Sequence, residues 1–132
     1  MTRDGRSRIL RSAGFRWPGV EVQAYKDDDG SFRDVTRRLL AAPETAAFDV
    51  RYFELAPGGH TSLERHRHVH VVVCVRGGGR VRLDESYDEV GSGDVVYVAP
   101  DTPHRFENPT DEPFGFVCIV DRDRDRPVPL GG

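Results

Sequence analysis

No stretch of this 132-residue chain approaches the ~18 to 20 consecutive apolar residues of a membrane-spanning helix, and the longest apolar run, 69–75, is interrupted by His70. The first sixteen residues are basic, but their only apolar pair is Ile9-Leu10. No secretory core is therefore expected, and the protein reads as cytoplasmic. Positive charge is not in surplus either. Lys+Arg number 19 against 22 Asp+Glu, a net charge of -3 with the histidines neutral, so neither nucleic acid nor a membrane surface is an expected partner. Lysine is nearly missing: Lys26 is the only one, a composition bias to which no function attaches. Cysteine is scarce as well. Cys74 and Cys118 each sit inside an apolar run (VVVCVR and GFVCIVD) and are expected as reduced core residues, with a disulfide the alternative that Cα separation decides.

A long amphipathic helical pattern is also missing. What stands in its place is β-branched and aromatic runs separated by Gly, Pro, Asp and Asn, the punctuation of an all-β protein. Strands are expected over 20–26, 48–55, 70–75, 80–83, 87–90, 95–98, 104–107 and 114–120. Turns are expected at Asp27-Asp28-Asp29-Gly30, Pro57-Gly58-Gly59, Gly77-Gly78-Gly79, Gly91-Ser92-Gly93 and Asn108-Pro109-Thr110, whose residues tolerate tight reversals. Residues 34–42 (DVTRRLLAA) fit one or two helical turns or a strand. One domain of two packed antiparallel sheets is the layered architecture that buries this much β surface. Its parts are an arm over 1–19, a barrel over 20–120 and a charged, proline-containing tail over 121–132 expected to lie extended on the surface.

Four of the five histidines fall in GGHTSLERHRHVHVVVCVRGGG, and the fifth, His104, lies in GDVVYVAPDTPHRFEN. In a strand, residues i and i+2 face the same way, roughly 6.5 Å apart, so Glu64 and His66 share a side, continued by His68 and His70 if the strand runs straight. A metal held at about 2.0 to 2.2 Å by imidazole and carboxylate needs such groups from more than one segment, and His104 supplies the second.

These residues resemble the cupin family of small jelly-roll barrels. Its first motif runs Gly, His-x-His, three or four residues, Glu, six residues, Gly. The second runs Gly, five residues, Pro-x-Gly, two residues, His, three residues, Asn. Here Gly93-Asp94 opens the second motif, Pro100-Asp101-Thr102-Pro103 makes its turn, and His104 precedes Asn108 at the matching interval. The departures are Ala99 at the usual proline and Asp101 at the usual glycine. In the first motif the ligand types are permuted: counting back from Gly77, His70 stands at the usual glutamate, with His66 and Glu64 at the two histidine positions.

On that alignment the resemblance, which covers about 48–120, implies a metal site of Glu64, His66, His70 and His104. If instead the chain does not loop between His66 and His70, then His66, His68 and His70 all face inward and Glu64 supports a ligand rather than the ion. His60, after Gly58-Gly59, reads as a turn or rim residue. Asn108 reads as the residue that pins its turn, and Gly77 to Gly79 as barrel turns, since GGGR lacks the lysine of a phosphate loop.

A nitrogen and oxygen donor set without thiolate suits Fe, Mn, Ni, Co, Cu or Zn. One such ion would polarise an oxygen-bearing substrate, and Glu64 could leave it to take a proton. The resemblance thus implies a metal-dependent enzyme acting on a small organic molecule: a dioxygenase or other oxygenase, or a non-redox lyase, isomerase or decarboxylase. The alternative is a module that binds or senses a metal or small ligand without turnover. Tyr52, Phe53, Tyr97, Phe106, Phe114 and Phe116 include the expected pocket wall, about half of them plain core. The family's habit of pairing through sheets, with the unassigned arm, implies a homodimer with strand exchange.

Overall fold

The computed structural model describes residues 5–26 and 30–131, so the expected turn at Asp27-Asp28-Asp29 lies outside the described residues. No helix occurs among them, and none is long and apolar enough to cross a membrane. The strands are β1 (Gln23–Ala24), β2 (Arg33–Ala41), β3 (Phe48–His60), β4 (Glu64–Arg65), β5 (His70–Arg76), β6 (Gly78–Leu83), β7 (Ser86–Gly91), β8 (Val95–Val98), β9 (His104–Glu107), β10 (Phe114–Asp121) and β11 (Val128–Pro129). All pairings are antiparallel. β2, β3, β10, β5 and β8 follow one another across one side of the barrel, and β7, β6, β9, β4 and β11 across the other.

The join between the two sides is β3. Its first part is paired to β2 and β10, and its last residue, His60, to Arg33 of β2 and to Glu107 of β9. Pro57-Gly58-Gly59 is therefore not a chain reversal as expected but the bend at which one long strand passes from one side of the barrel to the other. Gly58 takes φ 79 there, a conformation that costs glycine little. Residues 34–42 resolve as a strand because β2 has the whole flank of β3 to pair with. Of 20–26 only Gln23–Ala24 forms a strand.

Alternation fixes which side chains enter the core. β8 reads exposed, buried, exposed, buried, and in β10 Phe114, Phe116, Cys118 and Val120 are buried. Phe116 lies opposite Phe53 on one side and Cys74 on the other, and Cys118 opposite Arg51 and Val72. Both cysteines are buried and free, as expected. Asn108, 1% exposed, donates to the carbonyls of Leu55 (2.9 Å) and Glu112 (2.7 Å) and accepts from Thr110, which pins the turn before β10.

The arm and tail both lie on this barrel. Phe15 stacks on Tyr52 at 5.7 Å and Trp17 tilts over it at 5.3 Å, so Tyr52, on the outer face of β3, is fully covered. Burial and the neighbouring Glu54 carboxylate, to which its hydroxyl donates at 2.7 Å, push the Tyr52 phenol up. The tail is tied by Arg122 and Arg124 to Asp49 (2.9 and 3.1 Å) and by β11 to β4. Those two guanidinium groups hold Asp49 below the usual carboxylate range although its burial acts the other way.

Close packing of β10 on Tyr52 gives a stability test. A methyl group at Gly115 would overlap the Tyr52 hydroxyl, whereas one at Gly91 meets open space. Gly115→Ala should cost about 1–3 kcal/mol and lower Tm by several degrees in thermal unfolding. Gly91→Ala should stay within about 0.5 kcal/mol of wild type. Equal melting of the two variants would contradict this packing.

Candidate metal centre

The histidine-dense segment does not run straight. Pairing with β9 is made at Glu64, opposite His104, after which the chain bends through 67–68 and re-enters the sheet at His70 opposite Val98. The bend is held by the tail. The Asp125 carboxylate accepts from the backbone N–H of Arg67 (2.9 Å to Oδ2) and of His68 (3.0 Å), and from His68 Nδ1 (2.9 Å). These bonds hold Asp125 well below the usual carboxylate range. The segment's other side is fixed to the turn before β9, where the Asp101 N–H donates to the His66 carbonyl at 2.8 Å. Asp101 takes φ 59, so this turn requires the left-handed conformation for which a glycine is the usual choice and which Asp tolerates.

The two segments meet at their imidazoles. His66, His70 and His104 each present one ring nitrogen, and the three lie within 4.8 Å of one another. His66 Nε2 is 3.2 Å from His104 Nε2. His66 Nδ1 sits 2.7 Å from the His68 carbonyl and His104 Nδ1 2.8 Å from that of Thr102. A carbonyl only accepts, so each Nδ1 carries the proton and each Nε2 keeps its lone pair for the shared point. His70 Nδ1 faces the Cys118 thiol at 3.6 Å.

Burial removes the remaining protons. It lowers His66 to about 4, with the charges of His104 and His68 acting the same way and the bond to the His68 carbonyl opposing. His70 and His104 are lowered too, each mainly by burial. Neutral imidazoles with lone pairs aimed at one point repel one another unless a cation lies between them. The donor set therefore fits a transition metal, and three histidines here could hold one.

The other site residues lie around this group. His68 is buried with its ring stacked on His66 at 3.7 Å, and its Nε2 is 3.4 Å from His70 Nε2. Glu64 accepts from the Ser62 hydroxyl at 2.6 Å and stands outside the set of three, bordering both cavities beside it. The geometry thus has features of both ligand sets: the chain bends between His66 and His70, and His68 still joins the cluster. His60 lies apart, its Nδ1 on the Thr61 carbonyl.

Two cavities adjoin the histidines. An inner pocket of about 50 Å³ is walled by Phe53, Phe106 and Phe116 together with Tyr25 and Phe32. A wider cleft of about 270 Å³ opens past His66, His68 and His70. Arg51, Glu64, His70 and Tyr25 border both. Of the expected wall, Tyr97 instead faces outward and Tyr52 lies under the arm. Sequence reasoning missed Arg51 and Asp125. The first had a signal: strict alternation along β3 puts Arg51 on the face of Phe53 and Leu55. The second, inside DRDRDR, had none.

The family model for the cupin domain matches residues 51–120. A curated relative from Rhodospirillum rubrum, 1-methylthio-D-xylulose 5-phosphate methylsulfurylase, is 40% identical over 114 residues, covering 86% of this chain and 73% of its own. Two solved structures superpose closely. A cupin 2 conserved barrel domain protein from Rhodopseudomonas palustris has TM-score 0.88 at 40% identity, covering 96% of this chain and 88% of that one. A cupin-2 domain from Rhodospirillum rubrum has TM-score 0.85 at 37% identity, covering 96% and 85%. The matched span carries all five histidines on a curled antiparallel barrel, and with the family model and the 40% identical relative the chain belongs to the cupin family.

Proposed function

We propose that this chain is a metal-dependent cupin enzyme acting on a small organic molecule, with Glu64, His66, His70 and His104 as ligands of one divalent transition ion and His68 as the alternate to Glu64. The supporting observation is the convergence of one ring nitrogen from each of three histidines beside a cavity of small-molecule size. Identity of 40% to the methylsulfurylase, across 86% of this chain, favours 1-methylthio-D-xylulose 5-phosphate or a close analogue as substrate over an oxygenase substrate. A bound ion supplies a Lewis acid for a substrate oxygen. The chain's own residues do the rest. The Nδ1 bonds fix the rings, the phenylalanine wall keeps water from the inner end, and Glu64, bordering pocket and cleft, is assigned as the group that takes up and returns a proton.

We also propose a homodimer, formed through the outer face of the sheet. Val95 and Tyr97 are 63% and 57% exposed on β8, which among the described residues pairs on one side only, and the register continues that face through Val71, Val73, Val117 and Ile119. An apolar face at an open strand edge is what a second copy would cover.

His104→Ala should strip metal from the purified protein, read by elemental analysis, with its circular dichroism unchanged; full retention of metal overturns the site. Metal titrations of Glu64→Ala and His68→Ala separate the two ligand sets. The true ligand should lose more than the roughly 10- to 100-fold expected of a supporting residue. In the metal-free protein, histidines of the unfolded chain take up protons below about pH 6.5, whereas folded His66 resists to about 4. The unfolded state then binds more protons, so stability falls as pH drops through that window. Denaturant midpoints should decline from pH 7 to 5, and His66→Gln should flatten the decline; a level wild-type profile contradicts the site's electrostatics. Sedimentation should give a dimer, and Tyr97→Arg a monomer. A monomeric wild type at micromolar concentration removes the interface.

A further inference from the structure

We propose that Arg51, with Arg37 at the mouth of the cleft, forms an anion subsite that takes the phosphoryl group of the substrate; the substrate class rests on the function proposed above, the subsite on the geometry alone. Arg51 is 6% exposed on the inner face of β3. Its Nη2 donates to the Cys118 thiol at 3.6 Å, its guanidinium lies 4.9 Å over the Phe53 ring, and its Nε has no hydrogen-bond partner among the described residues. Among the described residues no carboxylate pairs with it, in contrast to Arg76 on Glu54, Arg80 on Glu107 and Arg122 on Asp49. Burying a guanidinium without a counter-charge is costly, and the cost is recovered only by an anion.

The surroundings carry the same sign. Lys26, Arg37, Arg51 and Arg124 border the cleft against two carboxylates, Glu64 and Asp125. Both carboxylates are engaged: Glu64 by Ser62, Asp125 by His68 and the Arg67 and His68 amides. Arg124 is spent on Asp49. Arg37 gives Nη2 to the Gln23 amide at 2.8 Å, and its Nε is also without a partner among the described residues. Arg37 and Arg51 both border the cleft, and a guanidinium matches a phosphoryl group in shape and charge.

The same Cys118 thiol stands 3.6 Å from Arg51 Nη2 and 3.6 Å from His70 Nδ1, so anion subsite and metal centre are neighbours. A ligand spanning both is short, with oxygens at one end and its phosphoryl group at the other. A cleft of about 270 Å³ suits a pentose phosphate.

Calorimetry with D-xylulose 5-phosphate, D-xylulose and inorganic phosphate tests this, on wild type, Arg51→Met and Arg37→Met, with metal content of each measured by elemental analysis. Wild type should bind the phosphorylated sugar at least about ten-fold more tightly than the free sugar. Arg51→Met should abolish that preference with metal content unchanged. Arg37→Met, at the partly buried mouth, should reduce it several-fold and carries the test should Arg51→Met not fold. A wild type without preference, or a preference intact in the folded variants, overturns the subsite. A wild type that prefers the phosphorylated sugar yet holds no metal overturns the proposed enzyme and leaves the subsite standing.

Discussion

Packing three buried imidazoles so that a ring nitrogen of each lies within 4.8 Å of the others is unfavourable in itself, and much of the local structure exists to enforce it. Lone pairs repel, and any ring free to rotate would swing its N–H toward a neighbour instead. Rotation is stopped at the far nitrogen, where the carbonyls of His68 and Thr102 hold His66 and His104. Neither carbonyl belongs to a regular strand. Each is delivered by a tight local path: the bend through 67–68 and the turn before β9 with its left-handed Asp101. Irregular backbone is thus concentrated where the chemistry needs a carbonyl aimed at a ring, while the regular sheet supplies rigidity behind it.

The bend in turn depends on a residue far away in sequence. A bend that leaves the sheet releases backbone N–H groups, and near the barrel mouth these must find acceptors. Asp125 satisfies two of them with one carboxylate and also orients the His68 ring. The tail is kept within reach by Arg122 and Arg124 on Asp49, and by the pairing of β11 with β4. What looked like a solvated charge run is therefore part of the scaffold around the histidines. Its alternating arginines and aspartates divide the work, the arginines gripping the barrel and Asp125 gripping the bend.

How much of this was legible depended on whether the cause was local. β8 and β9 were readable to the residue because a short alternating run between turn formers leaves few other options, and the turn at Asn108 was readable from its amide. The meeting of His104 with the earlier histidines followed from the motif frame, not from periodicity. Residues 34–42 stayed ambiguous because arginine, leucine and alanine suit either state, and pairing with β3 decided it. β4 and β11 are two-residue strands, β11 paired only through the docked tail and β4 also to β9, and neither leaves a pattern in composition. Pro57-Gly58-Gly59 carried the chemistry of a reversal and made a bend, since the segment before it pairs with β10 and His60 after it with β9.

Arg51 shows why the centre and its surroundings have to be considered together. Its positive charge lowers the proton affinity of His70, which keeps that lone pair available, and the same charge opposes a divalent ion there. Glu64 and Asp125 lie on the cleft wall, but each is already bonded elsewhere. Two cationic sites side by side in a buried space become mutually compatible once an anion spans them. In this electrostatic arrangement a ligand carrying oxygens for the metal and a separate negative group for Arg51 gains at both ends, while an uncharged ligand leaves the guanidinium uncompensated. Selectivity then arises from where the barrel buries its unpaired positive charge, without any change to the three histidines.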